Sequence, residues 1–229
     1  MRIVMNFRKL YDFLRDLNTE GNNNKEWMDA HRDDYQQVRE EFIAFLQEVN
    51  DALVEMDTNY QHTSVKDSIM RINNNRMFHP DKPVYKDHFA ALLDVNPKTA
   101  DFFFTLGLRE SFLATGLHRP EKEILGSIRE EIDYSAEEFE DIVNDERFKA
   151  VFEGFMDDNK LKNPPKGYTA DHPRVEYFKH RSFVVKRDLT EKQVVNTDFK
   201  QVIIEIYEAA RPFREFLNRS IEGIAMGRS

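Results

Sequence analysis

The spacing of apolar residues changes from helical at both ends of the chain to strand-like in the middle, and this change limits the possible folds most strongly. Near the N-terminus, one long stripe at helical spacing predicts an amphipathic helix over residues 25–57. A shorter helix over 7–17 precedes it, and Asn6 and the Asn22–Asn24 run are placed to cap the two helices. The stripe consists of Trp27, His31, Tyr35, Val38, Phe42, Phe45, Val49, Leu53 and Met56.

The middle of the chain carries segments rich in aromatic and β-branched residues, which predict strands. These segments are 65–72, 89–95, 101–108 and 181–189. We expect the second and third to pair antiparallel around Asn96-Pro97. Helical spacing returns in segments 121–132, 137–143, 148–155, 173–179 and a last helix from Phe199. Pro212 lies inside that last helix and predicts a kink or break near 209–211.

Strands clustered between helices favour an α+β fold over alternating βαβ units. The predicted architecture is a central, mostly antiparallel sheet with a long N-terminal helix, several middle helices and a long C-terminal helix. At roughly 150 residues per domain, the 229 residues predict a single α+β domain spanning 1–229. Residues 6–57 would form a helical arm packed on it.

Composition excludes several classes of protein. The longest strictly apolar run is about five residues, 89–93, which is too short for a membrane-spanning helix. The absence of cysteine excludes disulfides, thiolate zinc sites and a cysteine nucleophile. Charged residues near the N-terminus (Arg2, Arg8 and Lys9) interrupt any signal-peptide core, so we expect a soluble, cytoplasmic protein. A net charge of −9 argues against a nucleic-acid partner.

Charge is distributed unevenly along the chain. Residues 119–158 hold five Lys or Arg against fourteen Asp or Glu, whereas residues 160–188 hold eight against three. A basic stretch in an acidic protein can concentrate a small anion locally. The structural alternative is that the acidic stretch forms solvated helix faces and that the basic stretch pairs with it.

The first candidate site is the segment 71–88, a loop containing Pro80 and Pro83. Lysine offers a point charge and arginine a planar fork, so the segment could hold a phosphate or carboxylate without a metal. The alternative is a lid with its aromatic residues packed inward and its cations in solvent. Its polar residues are Arg71, Arg76, Asp81, Lys82, Tyr85, Lys86 and His88.

The second candidate site is the segment 161–181, where Asp171-His172-Pro173 opens a short predicted helix. Asp171 could cap that helix, and His172 at its start could orient an anion or transfer a proton. Lys179 would add a positive charge. The alternative is that Asp-His-Pro serves only to begin the helix.

Motifs for metals and cofactors are weak. His79, His88 and His172 are isolated in sequence, without the paired spacing of a typical metal site. The sequence contains no phosphate-binding P-loop, dinucleotide-binding or nucleophile-elbow signature. We therefore predict neither a metal ligand set nor a cofactor.

Three motifs in order carry a resemblance to a known family. Asn24-Lys25-Glu26-Trp27 resembles an N-(K/R)-x-W opening, and residues 78–86 resemble an R-F-S-x-D-K-x-P-Y-K stretch. Pro165-Lys166-Gly167-Tyr168 with Asp171-His172-Pro173 resembles P-x-G-(F/Y)-x-x-(D/E)-H-P. The chain thus resembles the conserved hypothetical proteins of the domain of unknown function 2461, over about residues 7–217. The resemblance implies a single α+β domain whose two basic segments act together, and it brings no established activity.

These observations lead to one leading hypothesis and two competitors. In the first, segments 71–88 and 161–181 meet around a pocket for a small anionic ligand, phosphorylated or carboxylated. Arg71, Arg76, Lys82, Tyr85, Lys86 and Lys179 would bind the ligand, and His172 with Asp171 would orient it or move a proton. In the second, the protein is a non-enzymatic interaction module that uses the acidic segment 119–158. In the third, it is a metal-dependent hydrolase. The sequence leaves open whether the protein is an enzyme.

Overall fold

A computed structural model describes residues 4–60, 64–77, 79–94, 100–156 and 160–225. The sheet has four antiparallel strands in the order β1-β2-β3-β4. The strands are β1 His88–Leu93, β2 Asp101–Gly107, β3 Ser111–Leu117 and β4 Phe183–Leu189. The helices are α1 Phe7–Asn18, α2 Lys25–Ala30, α3 Arg32–Met56, α4 Val65–Ser68, α5 Lys122–Tyr134, α6 Ala136–Asn144, α7 Glu146–Val151, α8 Val175–Phe178, α9 Glu191–Asn196 and α10 Phe199–Ala225. The α+β class and the long terminal helices are confirmed.

The chain divides into two compact units. The first comprises 1–94, 103–113 and 188–205, and the second comprises 95–102, 114–187 and 206–229. A single domain with an N-terminal arm stays a prediction. None of the helices within the described ranges is both long and apolar enough to cross a membrane.

An aromatic cluster forms part of the core of the first unit. The ring of Phe7 on α1 lies edge-on to Phe45 on α3 and to Phe199, with centroids 4.9 and 5.2 Å apart. Phe42 packs edge-on against Phe89 of β1 and Phe104 of β2. Phe7 is half-buried and the other side chains of this cluster are buried, which matches the apolar stripe predicted for the N-terminal helices.

The second unit has its own aromatic core. Phe139 on α6 packs against Phe216 on α10 and against Tyr177 on α8, both at 5.1 Å between ring centroids. Phe155 lies against Phe183 of β4 and Phe213 of α10. Aromatic pairs of this kind add roughly 0.5–1.5 kcal/mol each beyond their burial.

The predicted helix over 25–57 is wrong in one respect, because it is interrupted at His31. The backbone there leaves helical geometry, with φ −112° and ψ 26°. The imidazole stacks on the ring of Trp27, with centroids 4.0 Å apart, and its Nδ1 lies 2.9 Å from the main-chain oxygen of Trp27. The His31 amide donates to the same oxygen at 3.0 Å, so His31 closes the last turn of α2, and α3 then begins at Arg32.

Other boundaries also differ from the sequence prediction. The predicted strand over 65–72 is wrong: residues 65–68 form the single helical turn α4, and only Ile69 bridges to Ala91 of β1. Of the predicted kink or break near 209–211, the break is wrong, because α10 continues through Pro212, and the kink stays a prediction. Proline removes one helical hydrogen bond, and the burial of the neighbouring Ala210 and Phe213 keeps the helix intact.

Two further differences concern the middle of the chain. Helix α7 ends at Val151 rather than near 155, and Phe155 instead bridges to Val185 of β4. The sequence pattern does not predict strand β3, because Ala114 and Gly116 at its centre have low strand propensity. The predicted turn at Asn96-Pro97 lies outside the described residues.

Candidate functional site

A cleft in the first unit is the strongest candidate site. Its volume is about 560 Å³. The loop before β1, the turn between β2 and β3, and the end of α1 form its walls. The lining residues are Asn18, Asn74, His79, Pro80, Asp81, Lys82, Pro83, Tyr85, Lys86, Asp87, His88, Arg109 and Glu110.

The loop before β1 is closed on itself by backbone contacts. Asn73 bridges to Tyr85, the amide of Asn74 donates to Val84 at 3.0 Å, and the Asn74 side chain donates to the Pro83 carbonyl at 3.0 Å. Arg76 uses its guanidinium to hold the same loop, donating to the Pro80 carbonyl at 3.0 and 3.3 Å. The geometry therefore gives Arg76 a loop-holding contact, and its predicted role in ligand binding stays a prediction.

Asn23 anchors this loop from the segment that precedes α2. Its Oδ1 accepts the amide of Tyr85 at 2.8 Å, and its Nδ2 donates to the Tyr85 carbonyl at 3.1 Å. The side chain of Tyr85 is buried and lines the cleft. The capping role predicted for the Asn22–Asn24 run is confirmed at Asn24, which caps α2 by accepting from the amide of Trp27.

Two predicted cations, Lys82 and Lys86, line this cleft, and Arg71 lies beside Lys86 just outside the lining. The Nζ atom of Lys86 donates to the main-chain oxygen of Arg71 at 2.7 Å. Burial lowers the pKa of Lys86, and the nearby positive charges of Arg71 and Lys82 lower it further. Among the residues that the structure describes, no carboxylate forms an ion pair with any of the three. We call Arg71, Lys82 and Lys86 the cation cluster.

An Asp-His pair lies at the start of β1 in the same cleft. The Nδ1 atom of His88 lies 3.0 Å from Oδ1 of Asp87, and Nε of Arg109 lies 2.7 Å from Oδ2 of Asp87. Burial by itself would raise the pKa of Asp87, but the hydrogen bond with His88 and the charge of Arg109 outweigh it and lower that pKa. Asp87 is therefore ionised at neutral pH.

The cleft also exposes two acidic groups, Asp81 and Glu110. The Asp87 carboxylate is already satisfied by His88 and Arg109. A ligand would thus meet Lys82 and Lys86 of the cation cluster on one part of the lining and hydrogen-bond acceptors on another. This arrangement suits an anionic molecule that also carries hydroxyl or amino groups.

The 161–181 segment belongs to the second unit, and most of its predicted site residues have partners there. Nδ1 of His172 accepts the amide of Arg174 at 3.2 Å, and its Nε2 lies 3.1 Å from Oδ1 of Asp133 on α5. Both ring nitrogens of His172 therefore have partners inside the unit. Lys179 pairs with Glu176 at 2.6 Å, and Lys160 pairs with the same carboxylate at 3.1 Å.

Asp171 does not cap the short helix as predicted. Helix α8 begins at Val175 after Arg174, and no side chain caps it. Asp171 is fully exposed, and a hydrogen bond from Thr169 lowers its pKa. Functional roles for Asp171, His172 and Lys179, and the meeting of segments 71–88 and 161–181, stay predictions.

The acidic helices α5 and α6 are partly neutralised within the second unit. Arg219 contacts Glu138 at 2.7 Å and Glu131 at 3.4 Å, and Arg174 lies 3.0 Å from Glu140. Within the described ranges, no group of three or more His, Asp or Glu side chains is placed to hold a metal ion.

Sequence reasoning named His88 but missed its pairing with Asp87 and the contribution of the β2–β3 turn. Arg109 and Glu110 reach the cleft from that turn, more than twenty residues along the chain from Asp87. The available signals were the adjacent Asp87-His88 pair and a charged pair that follows Gly107. Neither pair is distinctive, because adjacent charged residues are common in a sequence with 33% charged residues.

Most of the chain matches the model of a known protein family. No curated protein and no solved structure is significantly similar to the chain. The model of a family described as conserved hypothetical protein, the domain of unknown function 2461, matches residues 9–216. The family resemblance seen in the three sequence motifs is therefore confirmed, and the chain belongs to the conserved hypothetical family of the domain of unknown function 2461.

Proposed function

We propose that the cleft binds a small anionic ligand, phosphorylated or carboxylated, through the cation cluster. The observation that carries the proposal is the environment of Lys86. Its partly buried ammonium group has a main-chain carbonyl as its hydrogen-bond partner, and the nearby charges that lower its pKa are positive. Clustered cations repel one another, and a bound anion would relieve that repulsion while it accepts charge-assisted hydrogen bonds.

The shape and lining of the cleft narrow the ligand class. A volume of about 560 Å³ falls inside the usual ~300–1,000 Å³ range of small-molecule sites. Asp81 and Glu110 offer acceptors for ligand hydroxyl or amino groups. We therefore favour a phosphorylated metabolite with several hydroxyls, such as a sugar phosphate or a nucleotide, over a simple fatty or aromatic acid.

The test is calorimetric titration of inorganic phosphate and of a nucleoside monophosphate into the full-length chain. We expect the double variant Lys82→Ala/Lys86→Ala to bind at least about 100-fold more weakly, because two charge-assisted hydrogen bonds of roughly 1.5–3 kcal/mol each are lost. The matched control is Lys66→Ala/Lys192→Ala, which removes the same charge at exposed positions outside the cleft. Equal affinities in the wild type and the Lys82/Lys86 variant would overturn the proposal.

Proton linkage gives an independent readout. An anion bound next to Lys86 raises the pKa of this lysine back towards its ordinary value. Binding at alkaline pH should therefore take up protons, which titrations in two buffers of different ionisation enthalpy measure directly. In Lys86→Met this proton uptake should be absent.

The competing functions have less support. For the interaction module, Glu131, Glu138 and Glu140 already contact arginines, which leaves a smaller acidic surface for a partner. A metal-dependent hydrolase has no ligand cluster among the described residues. A cytoplasmic location and the lack of a nucleic-acid partner remain predictions from the sequence.

A further inference from the structure

The Asp87-His88 pair has a geometry that a simple anion-binding cleft does not need. When Nδ1 of His88 carries the proton, it donates to Asp87 at 3.0 Å, and Nε2 keeps a free lone pair. No hydrogen-bond partner of Nε2 is found within the described parts of the chain. The His88 side chain is 34% exposed and lines the cleft, whereas Asp87 is only 18% exposed.

The β2–β3 turn fixes this pair in place. The amide of Leu108 donates to the Asp87 carbonyl at 3.1 Å, and Arg109 holds the second carboxylate oxygen. A Cβ atom at Gly107 would lie 2.7 Å from Cβ of His88 and 3.2 Å from the Asp87 carbonyl oxygen. The absence of a side chain at Gly107 therefore lets the Asp87-His88 backbone lie directly against the end of β2.

His88 differs in this respect from the histidine that the sequence suggested. Both nitrogens of His172 have partners inside the second unit, so that ring has no free position for a substrate. In His88, Nδ1 is oriented by the Asp87 carboxylate, whereas Nε2 has no hydrogen-bond partner among the described residues. A carboxylate that fixes the tautomer of an imidazole is the arrangement by which enzymes prepare a histidine for proton transfer.

We infer that His88 is an acid–base residue and that the cleft hydrolyses a phosphate ester held by the cation cluster. The inference rests on the proposed function, because the cluster must first bind the ester. Nε2 of His88 would take a proton from water while the water oxygen forms a bond to phosphorus. The bond from phosphorus to the ester oxygen breaks, and the leaving oxygen receives the proton from the imidazolium. The products are an alcohol and phosphate, with no change of oxidation state.

Asp87 is a positioning residue in this scheme, since it acts through His88. Its carboxylate holds the Nδ1 proton and stabilises the imidazolium that forms during the step. Arg109 in turn keeps the Asp87 carboxylate ionised and oriented. Removing the carboxylate should therefore slow turnover without weakening the binding of the ester.

The experiment measures hydrolysis of p-nitrophenyl phosphate and bis(p-nitrophenyl) phosphate by the full-length chain. We expect wild-type turnover of at least one ester and a loss of about 10²–10⁴-fold in kcat for His88→Ala, the range typical of a general base. Added imidazole should restore part of the His88→Ala activity, which a merely structural histidine would not allow. Asp87→Asn should lower kcat with little change in KM, and Lys66→Ala/Lys192→Ala should match the wild type.

Phosphate titration of the same samples separates the two proposals. Phosphate binding by the wild type and His88→Ala without hydrolysis of either ester would overturn the inference and leave the binding function standing. Absence of phosphate binding and of turnover would overturn both. Wild-type turnover that His88→Ala retains in full would assign the chemistry to another group and also overturn the inference.

Discussion

The Nζ atom of Lys86 donates a hydrogen bond to the main-chain oxygen of Arg71 at 2.7 Å, which brings two cationic residues together. Among the described residues, no carboxylate forms an ion pair with either of them. The pKa of Lys86 is lowered in the folded protein, first by burial and then by Arg71 and Lys82. The folded state therefore holds the Lys86 proton less tightly than the unfolded chain does. This cluster is maintained at some expense of stability, as functional sites often are.

Lys86→Met should change how stability depends on pH. Below the lowered pKa of Lys86, the wild type carries the full penalty of holding this charge. The penalty disappears as pH rises through the lowered pKa and towards the ordinary lysine value of about 10.4. The free energy of unfolding of the wild type relative to Lys86→Met should therefore increase from pH 7 to pH 10. Urea unfolding of both proteins at pH 7 and pH 10 measures this difference in the free energy of unfolding. A difference that does not vary with pH would contradict the prediction.

Asn23→Ala should destabilise the protein through the loop that carries Tyr85 and Lys86. It removes the donor and the acceptor that hold the Tyr85 backbone, as well as a contact with Asn18. We expect a loss of about 1–3 kcal/mol in the free energy of unfolding. Asn22→Ala is the control, because it removes one exposed hydrogen bond to the Asp16 carbonyl and should cost less than about 0.5 kcal/mol. Similar losses in both variants would show that the Asn23 contacts do not hold the loop.

Gly107→Ala should disturb the cleft, whereas Gly126→Ala should not. The new methyl at 107 would lie 2.7 Å from Cβ of His88 and 2.9 Å from the Glu110 carbonyl oxygen, so backbone must shift. Overpacking of this kind costs typically ~1–3 kcal/mol. Gly126 lies in α5, and a methyl group added there would meet nothing within 4 Å, so alanine should stabilise by about 0.5–1 kcal/mol. In thermal and urea unfolding, the change in the free energy of unfolding relative to the wild type should be negative for Gly107→Ala and positive for Gly126→Ala. Changes of the same sign in both variants would refute the packing argument.

Tyr11→Phe should lower stability at neutral pH and lower it less at high pH. The buried Tyr11 hydroxyl lies 2.8 Å from Oγ of Ser111, and burial raises the pKa of Tyr11 above 10.0. The neutral phenol is therefore favoured by folding. Its contribution is complete below the ordinary tyrosine pKa and is lost as pH rises through the raised value. The wild-type advantage of about 1 kcal/mol at pH 7 should shrink in unfolding experiments above pH 10. If the wild type instead became more stable relative to Tyr11→Phe as pH rises, the raised pKa of Tyr11 would be contradicted.

The sequence by itself predicted features that depend on neighbours within one or two turns. Asn6 and Asn24 cap helices α1 and α2 because each bonds an amide three residues ahead, a distance that local sequence specifies. The helical stripe and the middle strands follow from the periods of 3.6 and 2 residues. The α+β class and the basic character of segment 71–88 followed from these local patterns and from the position of the lysines and arginines.

Only the tertiary structure decided which of these groups face each other. Asn23 meets Tyr85 across 62 positions, and Asp87 meets Arg109 because the β2–β3 turn returns the chain to the start of β1. Whether His88 or His172 keeps a ring nitrogen without a hydrogen-bond partner depends on residues distant in the sequence. The spacing of residues along the chain does not predict those partners. The physical reason is that hydrogen bonds and ion pairs act over a few ångströms in space. Separation along the chain fixes that distance only inside a single helix, strand or turn.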